Sequence, residues 1–484
     1  MPYLWLKLLK MKIIGRHIEI KELQRICHSD RPEFLAVYGR RRVGKTYLIK
    51  EFFGQQFDFY MTGTANSTMK IQLKNFYNRL LHYGAEGANV QMPKDWFDAF
   101  ELLQQLLDSL DKKEKLVVFL DELPWFDTHK SNFIQALEYF WNSYASTKNI
   151  ALIVCGSAAS WMIHRLIRNR GGLHHRLTSK LKLEPFNLYE CEAFFKAKEG
   201  AYVKYEIVQL YMALGGIPFY LDMVDTRQSA AQNIQSLCFN SNGRLSTEFE
   251  DLYYSLFKNA DSHLAIIRAL STARKGLTRG ELIKLSKLPN AGSTTRLLNE
   301  LAESDFVKDY LPFGGKNQNR LFQLVDFFSL FYLNFMDGKK RLIKSDWILA
   351  VDDPSKRAWS GYAFEMLCLQ HANQIKKALG IAGVQTLLSS WTGSYEKKGC
   401  QIDLIIDRRD DVINLCEIKF SNKMFTITKK YADELMNKVE LFRSVSGTKK
   451  SIFMTFITPF GLIHNPYART LVQNSLTLED LFMD

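Results

Sequence analysis

Eight consecutive residues near the start of the chain have the types and spacing needed to hold a nucleoside triphosphate. They are Gly39, Arg40, Arg41, Arg42, Val43, Gly44, Lys45 and Thr46, and they match the pattern G-x-x-x-x-G-K-[ST]. In such a loop the backbone N–H groups approach the phosphates, the lysine neutralises the outer phosphate oxygens, and the final hydroxyl binds Mg²⁺. The sequence therefore predicts a site for ATP and Mg²⁺, and a glycine- and lysine-rich surface turn is the alternative.

A second pair of chemically useful residues, Asp121 and Glu122, follows the apolar run 116–120. A P-loop protein needs an acid at this place to hold the metal ion, and the next acid polarises the attacking water. We assign Mg²⁺ binding to Asp121 and Thr46, and water activation to Glu122. An acidic turn at the end of a strand is the alternative. Ser157, which ends the apolar run 150–156, is predicted to sense the γ-phosphate.

Two acids and a lysine form a third group near the C-terminus. Glu417 and Lys419 share one face of a strand-like run, because side chains alternate, and Asp403 on the preceding run comes level with them in a hairpin. Desolvated carboxylates are costly unless a divalent metal binds them. The pattern predicts phosphodiester hydrolysis, with Mg²⁺ on Asp403 and Glu417, Lys419 orienting or deprotonating the water, and Glu365 as a further acid. A salt-bridged pair without chemistry is the alternative.

The elements that must position the first two groups follow from hydrophobic periodicity. Apolar strand runs alternate with helical runs from residue 34 to residue 183, which predicts an α/β fold with a parallel sheet covered on both faces. The stretch 158–183 contains no acid but six basic residues: Arg165, Arg168, Arg170, Arg176, Lys180 and Lys182. One interpretation is an arginine that reaches a phosphate in cis or from a neighbouring subunit of a homo-oligomer, and the other is a solvated basic face.

The chain is predicted to contain five segments. Residues 11–185 are the ATPase core, and 186–260 form a helical lid that breaks at 214–218. Residues 261–336 are predicted to be a winged helix-turn-helix that binds DNA or serves as a spacer. Its groove-facing residues would be Ser293, Thr294, Thr295, Arg296 and Asn299, with Lys316 and Arg320 on phosphate. A linker, 337–357, precedes 358–484, whose helix, hairpin, helix and strand match a restriction-endonuclease-like α/β core.

Composition limits the classes of partner and compartment. The chain has 484 residues, 46% of them hydrophobic, and a formal net charge of +13 that suits a polyanion such as DNA. Seven cysteines include no Cys-x-x-Cys pair, which indicates a reducing cytoplasm. No uncharged apolar run approaches the roughly 18 residues of a membrane span, so no membrane partner is expected. Translation could begin at Met1 or Met11.

These motifs make the chain resemble a prokaryotic family of P-loop ATPases, related to the AAA+ and STAND classes and abundant in archaea, that ends in a restriction-endonuclease-like domain of the PD-(D/E)XK, DUF234 type. The resemblance rests on the loop 39–46 and on six further motifs: residues 15–16, 121–124, 156–158, 215–218, 362–365, and 401–403 with 417–419. It implies Lys45 and Thr46 at ATP and Mg²⁺, Asp121 and Glu122 in hydrolysis, and Asp403, Glu417 and Lys419 in a nuclease-like site. Ile402 stands where that superfamily often has proline.

Three functions are compatible with these predictions. The first is an ATP-hydrolysing enzyme that acts on DNA, with the winged helix docking the duplex and the C-terminal site cutting it. The second is a nucleotide-driven signalling or assembly switch whose C-terminal domain is a non-catalytic binding module. The third is a DNA-binding regulator with little ATP turnover.

Overall fold

The computed structural model describes residues 13–484 except 85–90, 111, 170, 174, 316–318, 339–346, 350–352 and 396–397. Arg170 and Lys316, named above, lie outside the described residues, as do both candidate start methionines. The chain divides into two compact units, Met1–Pro185 and Phe186–Asp484. In the part of the chain that is described, no helix combines the length and apolar character that crossing a membrane requires.

The first unit is built on a five-stranded parallel sheet. Its strands are β1 (Glu33–Tyr38), β2 (Phe59–Thr62), β3 (Leu116–Asp121), β4 (Ile150–Gly156) and β5 (Ser179–Lys182), in the order β2-β3-β4-β1-β5. All seven residues of β4 are buried, and because neighbouring side chains point to opposite faces, both faces of the sheet are covered. The predicted parallel α/β core is confirmed.

Among the described residues, six α-helices accompany this sheet. They are α1 (His17–His28), α2 (Lys45–Phe52), α3 (Met69–His82), α4 (Trp96–Ser109), α5 (Phe133–Ser143) and the short α6 (Ala159–Trp161), which continues as a π-helix over Met162–Ile167. Large aromatic side chains, including Trp96, Phe100 and Phe140, fill the core between α4, α5 and the strands. The sheet edge that carries the predicted loop is thus held by a well-packed interior.

The second unit begins with helices, as predicted. They are α7 (Leu188–Ala197), α8 (Lys204–Leu214), α9 (Pro218–Asp222), α10 (Ala230–Ile234) and α11 (Glu248–Leu256). The predicted break is confirmed, because α8 ends at Gly215, which has a φ of 68°, and α9 starts with Pro218 in its first turn.

Residues 260–324 form what we call the helix–hairpin segment. It contains α12 (Ala260–Leu270), α13 (Arg279–Ser286), α14 (Gly292–Glu303) and the antiparallel strands β6 (Leu277–Thr278), β7 (Val307–Tyr310) and β8 (Leu321–Leu324). Thr278 caps α13 in a capping box with Glu281, as its position before an apolar run predicts. Helix α15 (Phe327–Phe331) follows and continues as a π-helix over Tyr332–Met336.

The last segment carries a second, mixed sheet. Helices α16 (Pro354–Gln370) and α17 (Ala372–Ala378) precede strands β9 (Thr386–Tyr395), β10 (Lys398–Arg408) and β11 (Val412–Ile418). Helix α18 (Lys429–Ser446), β12 (Ser451–Ile457), α19 (Pro466–Leu471), β13 (Asn474–Leu476) and α20 (Leu478–Leu481) complete it, with the strand order β13-β12-β11-β10-β9. Strand β9 was not predicted. Within the second unit, α8 packs against α15, α16 and α20.

Part of the predicted linker is helical. Asp353 and Pro354, which lie in the predicted linker, instead start α16. The Asp353 carboxylate accepts hydrogen bonds from the N–H groups of Ser355 and Lys356, and Pro354 occupies the first helical position. Asp and Pro are common both in turns and at the start of helices, so the local sequence did not distinguish a linker from a helix.

Candidate nucleotide site and C-terminal charged cluster

The residues predicted to bind ATP lie where three parallel strands of the first unit end. Tyr38 of β1 pairs with Gly156 of β4, and the end of β2, Thr62, pairs with Asp121 of β3. Because parallel strands share their carboxyl edge, the loop after β1, the acids after β3 and Ser157 after β4 meet there. Ligands of open α/β sheets bind at this edge.

The loop 39–44 needs glycine at both ends. Gly39 has a φ of 137°, and a Cβ there would lie 2.2 Å from the carbonyl oxygen of Leu183. Gly44 has a φ of 89° and forms the N-cap of α2, with open space around it. Both conformations are costly for other residues, so the glycines let the backbone turn into the start of a helix whose N–H groups suit an anion.

Lys45 is buried in the loop, with only 5% of its surface exposed. Its ammonium group donates to the carbonyl oxygens of Gly39, at 3.0 Å, and Arg40, at 2.8 Å. Burial lowers the pKa of Lys45, and the nearby Cys155, Glu122 and Asp121 act in the opposite direction. The lysine is therefore a preformed cation whose bonds to two carbonyls can be exchanged for phosphate oxygens.

Thr46 and Asp121 form the arrangement expected of a Mg²⁺ site. The Thr46 hydroxyl lies 3.0 Å from each carboxylate oxygen of Asp121, and burial raises the pKa of that carboxyl group. Oxygen donors of these two kinds are what Mg²⁺ prefers beside nucleotide phosphates. The residues present therefore fit the ion that the loop pattern implies.

Glu122 is held beside Asp121 by Ser157. One carboxylate oxygen of Glu122 accepts hydrogen bonds from the Ser157 hydroxyl, at 2.8 Å, and from its backbone N–H, at 3.2 Å. Glu122 also has a left-handed backbone, with a φ of 51°, which turns its side chain away from the line of β3. The predicted water-activating acid and the predicted phosphate sensor are thus in direct contact.

Two contacts at this site escaped the sequence analysis. Arg16 donates to the carbonyl oxygen of Val43 at 3.2 Å and so steadies the loop from 27 positions away. The Cys155 thiol lies 2.7 Å from a carboxylate oxygen of Asp121, and burial raises its pKa well above the usual range. The motif at 15–16 hinted at the first contact, and the alternation of β4 could have suggested the second.

The basic stretch after Ser157 is largely exposed. Arg165 pairs with Asp127, with the closest nitrogen 3.2 Å from the carboxylate, while Arg168 and Arg176 also lie at the surface. Lys180 and Lys182 belong to β5. Exposure suits both a solvated face and a residue that reaches a neighbouring subunit, so both interpretations stand.

The C-terminal residues are brought together mainly around Glu417. Leu404 of β10 pairs with Cys416 of β11, which sets Asp403 and Glu417 at the same level of the sheet. Glu417 is 2% exposed, and one of its oxygens contacts Lys419, at 2.9 Å, and the Tyr431 hydroxyl, at 2.6 Å. Its other oxygen accepts from Lys438 at 2.5 Å. Burial would raise the pKa of Glu417, but Lys438 and Lys419 outweigh it and the pKa is lowered.

Asp403 and Glu365 have a different environment. Burial raises the pKa of both carboxyl groups. The negative charge of Glu417 raises the pKa of Asp403 further, and the negative charge of Asp403 raises the pKa of Glu365. Asp403 accepts a hydrogen bond from Gln401 at 2.9 Å. Among the described residues, no three Asp, Glu, His or Cys side chains are grouped as metal ligands. With both Glu417 oxygens bonded, these side chains form an ion-pair cluster, and a metal ion at Glu417 would have to replace Lys419, Tyr431 or Lys438.

The predicted groove-facing residues of α14 do not all face solvent. Ser293, Thr295, Arg296 and Asn299 are exposed, but Thr294 is fully buried and donates to the carbonyl oxygen of Pro289 at 2.6 Å. The prediction for Thr294 is wrong because one turn of the amphipathic helix places it on the core side. Arg320 pairs with Asp309 across the hairpin.

Comparisons with known proteins cover the first unit and part of the second. Residues 14–224 match the model of an ATPase domain found predominantly in Archaea. An uncharacterized protein of Methanocaldococcus jannaschii is 22% identical over 441 residues, which cover 88% of this chain and 92% of that protein.

Solved structures give a similarity in fold. A Walker-type ATPase of Pyrococcus abyssi has a TM-score of 0.50 and 17% identity, covering 67% of this chain and 97% of that one. The ORC2 protein of Aeropyrum pernix has a TM-score of 0.42 and 14% identity, covering 66% and 93%. Together with the geometry of the loop 39–46, the match of residues 14–224 to this ATPase model shows that the protein is an ATPase.

Proposed function

We propose that this ATPase acts on DNA and that ATP bound at the loop 39–46 controls that action. One observation supports the binding of ATP: three groups of residues lie together at one edge of the sheet. They are Lys45, the pair Thr46 and Asp121, and the pair Glu122 and Ser157. Lys45 supplies charge neutralisation, the first pair supplies metal binding and the second pair supplies water positioning, which are three requirements of phosphoryl transfer.

The residues of this edge divide the work of hydrolysis. Lys45 exchanges its bonds to Gly39 and Arg40 for outer phosphate oxygens and so stabilises the charge that develops there. Thr46 and Asp121 would hold Mg²⁺, which would help to neutralise the charge that develops on the phosphates. Glu122 accepts a hydrogen bond from the attacking water, and Ser157 fixes the direction of its carboxylate.

The DNA part of the proposal rests on the helix–hairpin segment. Its three helices and antiparallel hairpin have the order of a winged helix-turn-helix, and α14 stands where such modules carry the recognition helix. Exposed Ser293, Thr295, Arg296 and Asn299 supply hydrogen-bonding groups that suit base edges and phosphates.

A Mg²⁺-dependent nuclease at Asp403, Glu417 and Lys419 is a second candidate. The raised pKa of Asp403 favours it, since strongly perturbed acids are common at functional sites. The bonding of both Glu417 oxygens favours instead a C-terminal domain that only binds a partner. That alternative makes the protein a nucleotide-driven switch.

The ATPase rate with and without duplex DNA tests the proposal in wild type, Lys45→Ala and Asp403→Asn. We expect DNA to change the wild-type rate, Lys45→Ala to abolish turnover, and Asp403→Asn to keep the ATPase. The absence of any DNA effect on wild type, with turnover intact, would overturn the DNA part. Incubation of the same proteins with DNA and Mg²⁺ tests the nuclease: cleavage by wild type that Asp403→Asn abolishes supports it, and cleavage that persists in Asp403→Asn contradicts the assigned site.

A further inference from the structure

The turn between α12 and β6, residues 274–276, is fixed by side chains of the hairpin. The Tyr310 hydroxyl donates to the carbonyl oxygen of Lys275 at 2.6 Å, and the Gln323 amide donates to that of Arg274 at 2.7 Å. Gly276 has a φ of 81°, and a Cβ there would lie 2.4 Å from the carbonyl oxygen of Phe322. The direction in which Arg274 and Lys275 leave the turn is therefore set by the fold.

The same hairpin side chains contact the C-terminal sheet and its preceding helix. Gln323 also donates to the Met366 sulfur at 3.2 Å, one residue after Glu365, and the Ser390 hydroxyl donates to the Tyr310 oxygen at 3.4 Å. Phe313 in the hairpin tip packs against Phe442 of α18, with ring centroids 5.1 Å apart. The turn is thereby held against α16, which carries Glu365, and against β9, which pairs with the strand that carries Asp403.

Both basic side chains of the turn extend toward those acids. The Lys275 ammonium lies 3.5 Å from the Thr392 hydroxyl of β9, and Thr392 pairs across the sheet with Gln401, the hydrogen-bond donor to Asp403. The Arg274 guanidinium lies over the Tyr362 ring, 5.7 Å from its centroid and one helical turn before Glu365. Two cations from the helix–hairpin segment thus border a cluster of acids from another segment.

These cations keep donors available for a ligand. In the part of the chain that the structure describes, no carboxylate lies within the 4.0 Å ion-pair distance of Arg274 or Lys275. Arg274 is exposed and Lys275 is half-buried. Burial lowers the pKa of Lys275. The charges of Asp403 and Glu365 act in the opposite direction but do not outweigh burial, which fits acids that lie beyond ion-pair distance. A group with one negative charge and several acceptor oxygens could accept hydrogen bonds from both side chains and balance part of their charge.

We infer that Arg274 and Lys275 form, at the border of the Asp403 and Glu365 acids, a binding site for a phosphate of the DNA backbone. This inference rests on the proposed action on DNA and adds to it the place where the strand contacts the C-terminal sheet. The site is composite: the helix–hairpin segment supplies the cations, and α16 and β10 supply the acids beside them. It needs no metal ion, because the charge of the phosphate is balanced by side chains.

The test is DNA binding by the full chain, measured as the fluorescence anisotropy of a labelled duplex in EDTA without nucleotide, over a series of KCl concentrations. Lys275→Ala and Arg274→Ala should each weaken binding about tenfold and reduce the slope of log K against log salt by about one. Asp403→Asn should strengthen binding, because it removes a negative charge beside the phosphate. Lys275→Arg should retain most of the affinity.

A matched control is Lys449→Ala. Lys449 is exposed and lies just before β12. Ser451 of that strand pairs with Val412, at the end of β11 that is far from Glu417. The substitution of Lys449 should therefore leave the affinity for DNA within about twofold of wild type. If wild type binds DNA and the Lys275 and Arg274 variants bind equally well, this inference is wrong and the proposed action on DNA stands. If wild type does not bind DNA, both are wrong. Circular dichroism of each variant identifies any that fail to fold, and Asp403→Asn and Lys275→Arg then decide the result.

Discussion

At the residue scale, the contact between Glu122 and Ser157 carries the most direct prediction about turnover. Glu122→Gln should lower kcat by about 100-fold or more, because the amide is a poor acceptor for the proton of the attacking water, while ATP affinity changes little. Ser157→Ala keeps the backbone N–H bond to Glu122 and loses the hydroxyl bond, so its kcat should fall less, about tenfold.

Separate measurements of kcat and of the Kd for ATP check this pair. Glu114→Gln is the control, since Glu114 is an exposed acid just before β3 and should leave both quantities unchanged. Full turnover by Glu122→Gln would show that another group positions the water.

The residues of the loop 39–46 were predictable because a contiguous motif has one geometry wherever it occurs. The contacts of Arg16 and Cys155 were less predictable, because they join positions far apart in the sequence: the motif at 15–16 and the alternation of β4 point to the residues but not to their partners. Glu417 illustrates the same limit. Its pairing with Lys419 on its own strand was foreseeable from alternation, whereas its complete engagement by Lys438 and Tyr431 depends on how α18 packs on the sheet.

At the element scale, His371 links the start of α7 to the end of α16. Its Nε2 accepts the N–H of Leu188, at 3.0 Å, and its Nδ1 donates to the carbonyl oxygen of Leu367, at 2.9 Å. This pattern requires the neutral ring, and burial lowers the pKa of His371 to about 4 from its ordinary 6.5. Protonation would remove the acceptor that satisfies the first turn of α7.

This histidine should make the second unit sensitive to acid. In the unfolded chain, His371 takes up a proton as the pH falls below about 6.5, whereas in the folded chain it does so only near pH 4. The contribution of the neutral ring to the free energy of unfolding is therefore fully present above pH 6.5 and is lost as the pH falls from 6.5 to 4. The loss is at most about 3 kcal/mol. Urea unfolding between pH 7 and pH 4 should show a steeper decline for wild type than for His371→Gln.

The control for this prediction is His464→Gln, because His464 is exposed and should leave the pH dependence unchanged. Comparing slopes makes the result independent of any constant loss of stability in His371→Gln. Equal slopes in wild type and His371→Gln would mean that the ring is protonated without cost in the folded state.

Elements were predictable to the extent that their periodicity was long and regular. Strands β1, β3 and β4 are continuous apolar runs and were found, but β2 has only four residues and β9 contains Ser, Thr and Gly, so neither stood out. Asp353 and Pro354 were assigned to a linker, although the same residue types also start helices. The hydrogen bonds that Asp353 accepts in the folded chain distinguish the start of a helix from a linker.

At the scale of the whole molecule, charge governs the expected affinity for DNA. The chain has a formal net charge of +13 without a basic tail, so binding should depend strongly on salt. A footprint of about five phosphates gives a slope of about −4.5 and a loss of about 500-fold between 50 and 200 mM salt. Titrations of a labelled duplex with wild type at four salt concentrations measure the slope, and affinity that does not change with salt would contradict an electrostatic contact with the backbone.

The packing of α8 against α20 has a consequence for biosynthesis. Residues 204–214 can bury their apolar face fully only after residues 478–481 have left the ribosome, because both helices share one interior. Closing so long a stretch of polypeptide is slow compared with forming local helices, and exposed Leu and Tyr side chains would meanwhile attract chaperones. The nucleotide-binding unit, whose strands all precede residue 185, can fold earlier during translation than the second unit, which must wait for residues 478–481.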